Sequence, residues 1–148
     1  TQMTSIQLSQ EKSLEVYNLD NALSLKILSV EKAVNSETPS LTKMIKATNE
    51  KKVSYLIMGL LVNMNNKLKF KEKLTENEIR GLSESILDKY YYLKLSDFVY
   101  VFNQISDGEI DLFGSLSHRD VMKALKDHTN LRWKYKNHGN TIYRNTNR

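Results

Sequence analysis

The chain of 148 residues is 40% hydrophobic and carries a net charge of +5, which predicts one compact domain around a single core. Because it contains no cysteine, disulfides, thiolate metal sites and cysteine nucleophiles are excluded, and we expect a cytoplasmic protein. No apolar run approaches the roughly 18 residues of a membrane span, and residues 1 to 10 lack the basic and apolar blocks of a signal peptide. No membrane partner is therefore expected.

The first predicted element is an N-terminal helical arm over residues 1–38. Its apolar residues follow one another at steps of 4, 4, 3 and 4, namely Leu19, Leu23, Ile27, Val30 and Val34. This spacing predicts one helix with a single apolar face, capped by Asn18 or Asp20. Pro39 ends the arm, because the residue before a proline is pushed out of the helical region. Such a face must be covered, so the arm either packs on the main body or mediates self-association.

Residues 39–136 are predicted to form a core domain of packed helices. A short helix around 41–47 precedes a longer one that Asn49 can cap. The longer helix carries apolar residues at i, i+3, i+4, i+7, i+8 and i+11, namely Val53, Leu56, Ile57, Leu60, Leu61 and Met64. This is the strongest helical pattern in the chain.

The second half of the core domain is marked by capping signals. Thr75 and Glu78 have the spacing of a capping box, and Ser117 and Asp120 repeat it with a shorter acid. Between them, Ser96 is predicted to cap a helix that Gly108 ends, since glycine readily adopts the left-handed conformation found there. The buried face of the helix after Thr75 is predicted to hold Ile79, Leu82, Ile86 and Tyr90.

The apolar period of the last helix weakens after Leu125, and the tail, residues 137–148, has none. We therefore predict a basic, partly disordered C-terminal tail. The predicted fold class is all-α, a compact bundle of about five to seven helices with an N-terminal helical arm.

Charge alternates along the chain in blocks. Residues 1–39 carry three basic and five acidic side chains (net −2), residues 40–75 eight and two (+6), residues 76–111 three and eight (−5), and residues 112–148 eight and two (+6). Such blocks indicate distinct basic and acidic faces, and ordinary solvated helix surfaces are the alternative explanation.

The polar residues give little support to an enzyme. The three histidines, His118, His128 and His138, are ten residues apart, a step that rotates about 280° on a helix, so we expect surface histidines and no metal site. Glu84 and Asp88 share a helical face, as acid and base pairs do, but so do many solvated faces. In the absence of a phosphate loop or nucleophile motif, the chain is predicted to be non-enzymatic and to need no cofactor.

Two aromatic regions are candidate binding surfaces. Consecutive tyrosines point in different directions on a helix, so at least one of Tyr91 and Tyr92 is expected to face outward and contact a partner, although core packing explains most of that aromatic cluster. Towards the C-terminus, basic and aromatic residues are interleaved where no apolar period remains, namely Arg132, Trp133, Lys134, Tyr135, Lys136, Arg144 and Arg148. This set suits phosphates and stacked bases or an acidic protein, and a charged helix end is the alternative.

Residues 83–98 read SESILDKYYYLKLSDF, followed by Val101-Phe102 and, after Gly108, by Phe113 and Leu116. Over roughly residues 39–132, this order resembles a family of small uncharacterised helical proteins encoded by phages and mobile elements of Bacteroidota. The chain departs from the family's pattern in the loop at residues 107–112 and in the last helix at residues 128–130. The resemblance implies a phage or mobile-element source and supplies no activity.

These observations favour a non-enzymatic adaptor that acts around phage or mobile-element DNA, for example in replication, and binds a protein partner and nucleic acid. One alternative is an interaction-only protein for host takeover or anti-defence, whose basic blocks bind an acidic protein surface. Another is a structural virion component in which the N-terminal arm packs against neighbouring subunits.

Overall fold

The computed structural model describes the backbone of residues 18–146 and the side chains of residues 18–135. Seven helices occur in this part of the chain: α1 (Leu19–Leu23), α2 (Val30–Asn35), α3 (Leu41–Ala47), α4 (Glu50–Lys67), α5 (Glu76–Lys89), α6 (Leu95–Ser106) and α7 (His118–Thr146). Residues 18–146 contain no strand, only isolated bridges between Ser40 and Lys94 and between Glu72 and Ser115. The prediction of an all-α bundle is confirmed.

The predicted capping residues begin four of the helices, and at α1 Asn18 accepts from the Asn21 N–H at 2.9 Å. At α5, the Glu78 backbone N–H donates to Thr75 Oγ1 at 3.2 Å, and the Thr75 N–H donates to Glu78 Oε1 at 3.1 Å. Asn49 caps α4 by accepting from the Lys52 N–H at 2.9 Å. At the start of α7, the Ser117 N–H donates to Asp120 Oδ2 and the Asp120 N–H donates to Ser117 Oγ, so Asp120 replaces the glutamate of the capping box. These local bonds satisfy N–H groups that a helix start leaves without partners.

The core lies where α4, α5, α6 and α7 meet. Its largest fully buried side chains include Ile57, Leu61, Met64, Leu82, Ile86, Phe98, Ile105 and Leu125. The stripe predicted on α4 is therefore the buried face of that helix, with Leu56 partly buried at its edge. In the described helices, no segment is both long enough and apolar enough to cross a lipid bilayer.

The prediction of one helix over residues 19–34 is wrong, because the segment forms two short helices. The Ser24 hydroxyl donates to the Asp20 carbonyl at 3.0 Å as α1 ends, and Ser29 accepts from the Lys32 N–H at 3.1 Å as α2 begins. Serine side chains that bond to nearby backbone groups compete with a continuous helix. The spacing of apolar residues carries no information about these serine bonds, so it could not predict the break in the helix.

Residues 18–38 pack on the main body of the bundle. Gly59 lets α1 approach α4 closely, since a Cβ atom there would lie 2.8 Å from Leu19 Cδ2. Farther along, α2 contacts both α6 and α7, and the Ser96 hydroxyl donates to the Ala33 carbonyl at 2.8 Å. Packing on the body is therefore the outcome for the described part of the arm. Residues 1–17 lie outside the described residues.

Ser96 is not the cap of α6. The helix begins one residue earlier, at Leu95, and Ser96 is buried. Its N–H donates to Thr38 Oγ1 at 3.1 Å while its hydroxyl bonds to α2. The local sequence resembles a cap, but these two non-local bonds turn the serine inward.

Two connections between helices are each held by the hydrogen bonds of one residue. Between α4 and α5, the buried Asn65 amide donates to the Leu74 carbonyl and accepts from the Leu74 N–H, both at 3.0 Å. Between α6 and α7, the Leu116 N–H donates to the Glu72 carbonyl at 3.0 Å. Gly108 ends α6 with a φ of 80°, as predicted.

We expect Leu61→Ala to lower the free energy of unfolding by about 2 to 5 kcal/mol, because it empties a fully buried site in the core. The matched control is Val62→Ala, the next residue of α4, whose side chain is exposed and should change stability by about half a kilocalorie or less. Urea denaturation followed by circular dichroism measures both values. Similar losses for the two variants would contradict the assigned face of α4.

Candidate functional site

The middle of α7 continues the buried face of the helix with polar residues. Val121, Leu125, His128 and Arg132 follow one another at steps of 4, 3 and 4, and all four are buried. On a helix this spacing places them on one side. The apolar pattern therefore stops after Leu125 while the core-facing stripe goes on.

The Asp97 carboxylate on α6 is the partner of both polar residues of this stripe. Asp97 is 0% exposed, His128 is 3% exposed and Arg132 is 7% exposed. His128 Nε2 lies 2.8 Å from Asp97 Oδ1, and Arg132 Nε lies 3.3 Å from Asp97 Oδ2 as an ion pair that falls short of hydrogen-bond geometry. A buried carboxylate is tolerated only with partners of this kind.

The backbone at the start of α6 supplies the third partner of Asp97. The Lys94 N–H donates to Asp97 Oδ2 at 2.8 Å, where the positive end of the helix dipole also favours a carboxylate. The Lys94 ammonium donates to the carbonyls of Val34 and Ser36 at 2.8 and 2.7 Å. Residues 94–97 thus connect α6 to α7 on one side and to the end of α2 on the other.

The burial of His128 and Arg132 corrects two expectations. His128 was expected on the surface but belongs to the core, because Asp97 offers its ring a buried acceptor. Arg132 was expected among the exposed basic residues, but its guanidinium is held inside by the same carboxylate. Steps of 3 and 4 after Leu125 place His128 and Arg132 on the buried side of the helix. This spacing alone, whatever the residue type, could have predicted their burial.

The opposite side of α7 is exposed, basic and aromatic. Residues at steps of 4, 3, 4 and 3 share this side, and we call them the basic face: Arg119, Lys123, Lys126, Asn130 and Trp133. They lie about 180° around the helix from the buried stripe. Trp133 is 64% exposed, and its neighbour Lys134 is exposed at the edge of the face. No apolar core explains a tryptophan in this position.

The remaining predicted residues of the C-terminal set are distributed as follows. Tyr135 is exposed. Lys136 and Arg144 lie on the backbone of α7, which runs to Thr146, but their side chains are outside the described residues. Arg148 also lies outside the described residues.

Tyr91 and Tyr92 are both exposed, in agreement with the expectation that at least one faces outward. Their rings meet edge to face with centroids 5.6 Å apart. The Tyr91 carbonyl accepts from both the N–H and the hydroxyl of Thr42 at 3.0 Å, which fixes the backbone under the rings. Burial, with the nearby Tyr92 and Asp127 adding to it, raises the pKa of Tyr90.

A cavity of about 330 Å³ lies between α6, α7 and the connection that joins them. Tyr100, Ala124, Asp127 and His128 are among its lining residues. Asp97 bound to His128 is the arrangement that orients a catalytic base, but no serine, threonine or cysteine lines the cavity in the described part of the chain. The pair can therefore accept a hydrogen bond from a bound molecule. Among the described residues, the cavity wall offers no nucleophile for the pair to activate.

Within residues 18–135, no group of three or more histidine and carboxylate side chains is placed to bind a metal ion. Comparison with models of protein families, with curated proteins and with solved structures gives no match to the chain.

We expect Asp97→Asn to lower the free energy of unfolding by roughly 3 to 5 kcal/mol, because it leaves the buried Arg132 without its counter-charge. Chemical denaturation measures the loss. Combining it with Arg132→Met in a double-mutant cycle should reveal a coupling of about 0.5 to 3 kcal/mol. Asp88→Asn, at an exposed acid on α5, is the control. Additive losses in the cycle would show that the two residues do not stabilise each other.

Proposed function

We propose that the protein is a non-enzymatic accessory protein of phage or mobile-element origin that acts around DNA, for example in replication, in the cytoplasm of a bacterial host. In this proposal the basic face of α7 contacts nucleic acid, and Tyr91 and Tyr92 contact a protein partner. The source follows from the resemblance of residues 39–132, and the two contacts follow from the exposed surfaces.

The basic face is the observation that carries the nucleic-acid contact. Its charged members, Arg119, Lys123 and Lys126, are followed by the exposed indole of Trp133 on the same side of one helix. Lysine and arginine attract phosphates and release their counterions, while an exposed indole can stack on an unpaired base. A row of cations beside an aromatic ring suits single-stranded nucleic acid better than an apolar protein surface.

The tyrosine surface supports a protein contact. Exposed tyrosines are frequent at the energetic centres of interfaces, because a large ring contributes contact area at a small cost in conformational entropy. Here the rings of Tyr91 and Tyr92 rest against each other, and the bonds from Thr42 hold the backbone beneath them. The surface is therefore already ordered before a partner binds.

We expect the protein to bind single-stranded oligonucleotides with an affinity that falls steeply as salt rises. Replacing Arg119, Lys126 and Lys134 together by glutamine should flatten the slope of log K against log salt by about two to three, because each cation bound to a phosphate accounts for close to one unit. Fluorescence anisotropy over a series of salt concentrations measures the slope. The matched control replaces Lys43, Lys46 and Lys52, exposed lysines of α3 and α4, and removes the same charge from another surface.

Equal flattening by the two triple variants would show diffuse attraction and would contradict the assignment to α7. If the wild-type chain binds no oligonucleotide even at low salt, the nucleic-acid contact is wrong, and an interaction-only protein that binds an acidic protein surface takes its place.

We expect Trp133→Ala to weaken binding to single strands by roughly 1 to 3 kcal/mol and binding to duplex by less, because only unpaired bases offer an open face for stacking. Tyr55→Ala is the control, since Tyr55 is a similarly exposed aromatic residue on α4. The same anisotropy titrations on matched single and double strands measure the difference. An equal loss on both would argue against stacking.

A further inference from the structure

We propose that the cavity between α6 and α7 is a binding site for a small organic cation, a molecule with an apolar body and an ammonium group. The site lies beside the basic face, with which it shares Lys123, and it does not depend on nucleic-acid binding. It rests on the shape of the cavity, on the charge and hydrogen-bonding groups of its wall, and on the conformation of Phe113 beside it.

The cavity has the size and the wall of a small-molecule site. Its volume of about 330 Å³ lies at the lower end of the range found for ligand pockets. Val101, Ile110, Leu112 and Ala124 give it an apolar lining, and the ring of Tyr100 adds an aromatic wall. These residues belong to α6, to α7 and to the connection between them, which the bond from Leu116 to Glu72 holds in place. An apolar body of modest size fits this lining.

The ionised groups of the wall favour a positive charge. Three carboxylates line the cavity, those of Asp111, Asp120 and Asp127, against the single ammonium of Lys123. Asp120 already accepts from the Ser117 N–H and Asp111 from the Phe113 N–H at 3.4 Å, which leaves Asp127 as the exposed acid with no hydrogen-bond partner among the described residues. Carboxylates only accept hydrogen bonds, and their bonds to charged donors are the strongest. A ligand that brings an ammonium group therefore complements this wall.

His128 adds an observation that is independent of the acids. Because Nε2 faces the Asp97 carboxylate at 2.8 Å, the neutral imidazole carries its proton there and leaves Nδ1 as an acceptor. Nδ1 is buried and has no hydrogen-bond partner among the described residues, although the ring lines the cavity. Buried polar atoms without partners are rare and costly. Nδ1 has almost no accessible surface in the structure, so a small shift of the neighbouring side chains would bring it to a donor on a bound ligand, which would supply the missing partner.

Phe113 has a backbone conformation that is unusual for a bulky residue. Its φ is 53°, in the left-handed region that bulky side chains rarely adopt, and the residue is 91% exposed while it borders the cavity. Strain of this kind concentrates at functional sites. An aromatic face at the entrance can cover an apolar ligand and attract its cation.

The test uses three probes that share an indole body and differ in charge: tryptamine, tryptophol and indole-3-acetate. The full chain, labelled with ¹⁵N, is titrated with each probe by NMR. We expect tryptamine to bind about tenfold more tightly than the neutral tryptophol, the factor expected of one charge-assisted hydrogen bond, and indole-3-acetate to bind most weakly. Equal affinities for the three, or no binding by tryptamine, would overturn the proposal.

Variants locate the site. Asp127→Asn should weaken tryptamine binding about tenfold and leave tryptophol binding unchanged, whereas Asp88→Asn, at an exposed acid that does not line this cavity, should change neither. If the two variants behave alike, the cation is bound by general surface charge and the proposal is wrong. Both positions are exposed, so both variants are expected to fold.

Two further measurements examine His128 and Phe113. Tryptamine should shift the ¹⁵N signal of His128 Nδ1, assigned with the help of the His118→Gln and His138→Gln variants, and an unmoved signal would contradict binding at the ring. Phe113→Gly relieves the left-handed strain, so the melting temperature should hold or rise while tryptamine affinity falls severalfold. Unchanged affinity in that variant would show that the ring does not cover the ligand.

Discussion

The fold depends on one buried carboxylate. Asp97 is removed from solvent, and a charge in that position is stable only while its partners remain in place. Its partners come from the start of α6 and from the middle of α7, so the relative position of these helices is determined by ionic and hydrogen-bonding geometry in addition to apolar packing. Because α2 is bonded to the same turn of α6 through Lys94 and Ser96, it is placed by the same constraint.

Much of this architecture could be predicted from the sequence, and the unpredicted part has a common physical cause. Period and capping signals are local, and they located α3 to α6 and the start of α7. The break between α1 and α2 was missed because serine hydroxyls bond to the backbone there. In the candidate site, His128 and Arg132 were missed as core residues because their burial depends on Asp97, which is 31 residues from His128. The local pattern predicted that at least one of Tyr91 and Tyr92 faces outward, but it placed them on a helix, whereas both are exposed in the turn that follows α5.

Three sides of α7 have different chemistry, each defined by residues at the same steps of 4, 3 and 4. The buried side begins at Val121, the side towards the cavity begins at Asp120, and the exposed side begins at Arg119. The first is apolar and then ionic, the second is apolar and acidic, and the third is basic. A single helix can therefore join the core, border an acidic cavity and present cations to solvent, with Lys123 shared between the cavity wall and the basic face.

The turn that holds Lys94, Ser96 and Asp97 also bears on how the chain reaches its native state. The bonds of this turn span 60 residues from Lys94 to Val34, 63 from Ser96 to Ala33 and 31 from Asp97 to His128. Contacts in simple helical bundles are mostly local, which is why such bundles fold quickly. Here the segments around Ala33 and around His128 must both be brought to one central turn, and each loop closure costs entropy before its bonds form. The protein should consequently fold more slowly than an up-and-down bundle of equal length and stability.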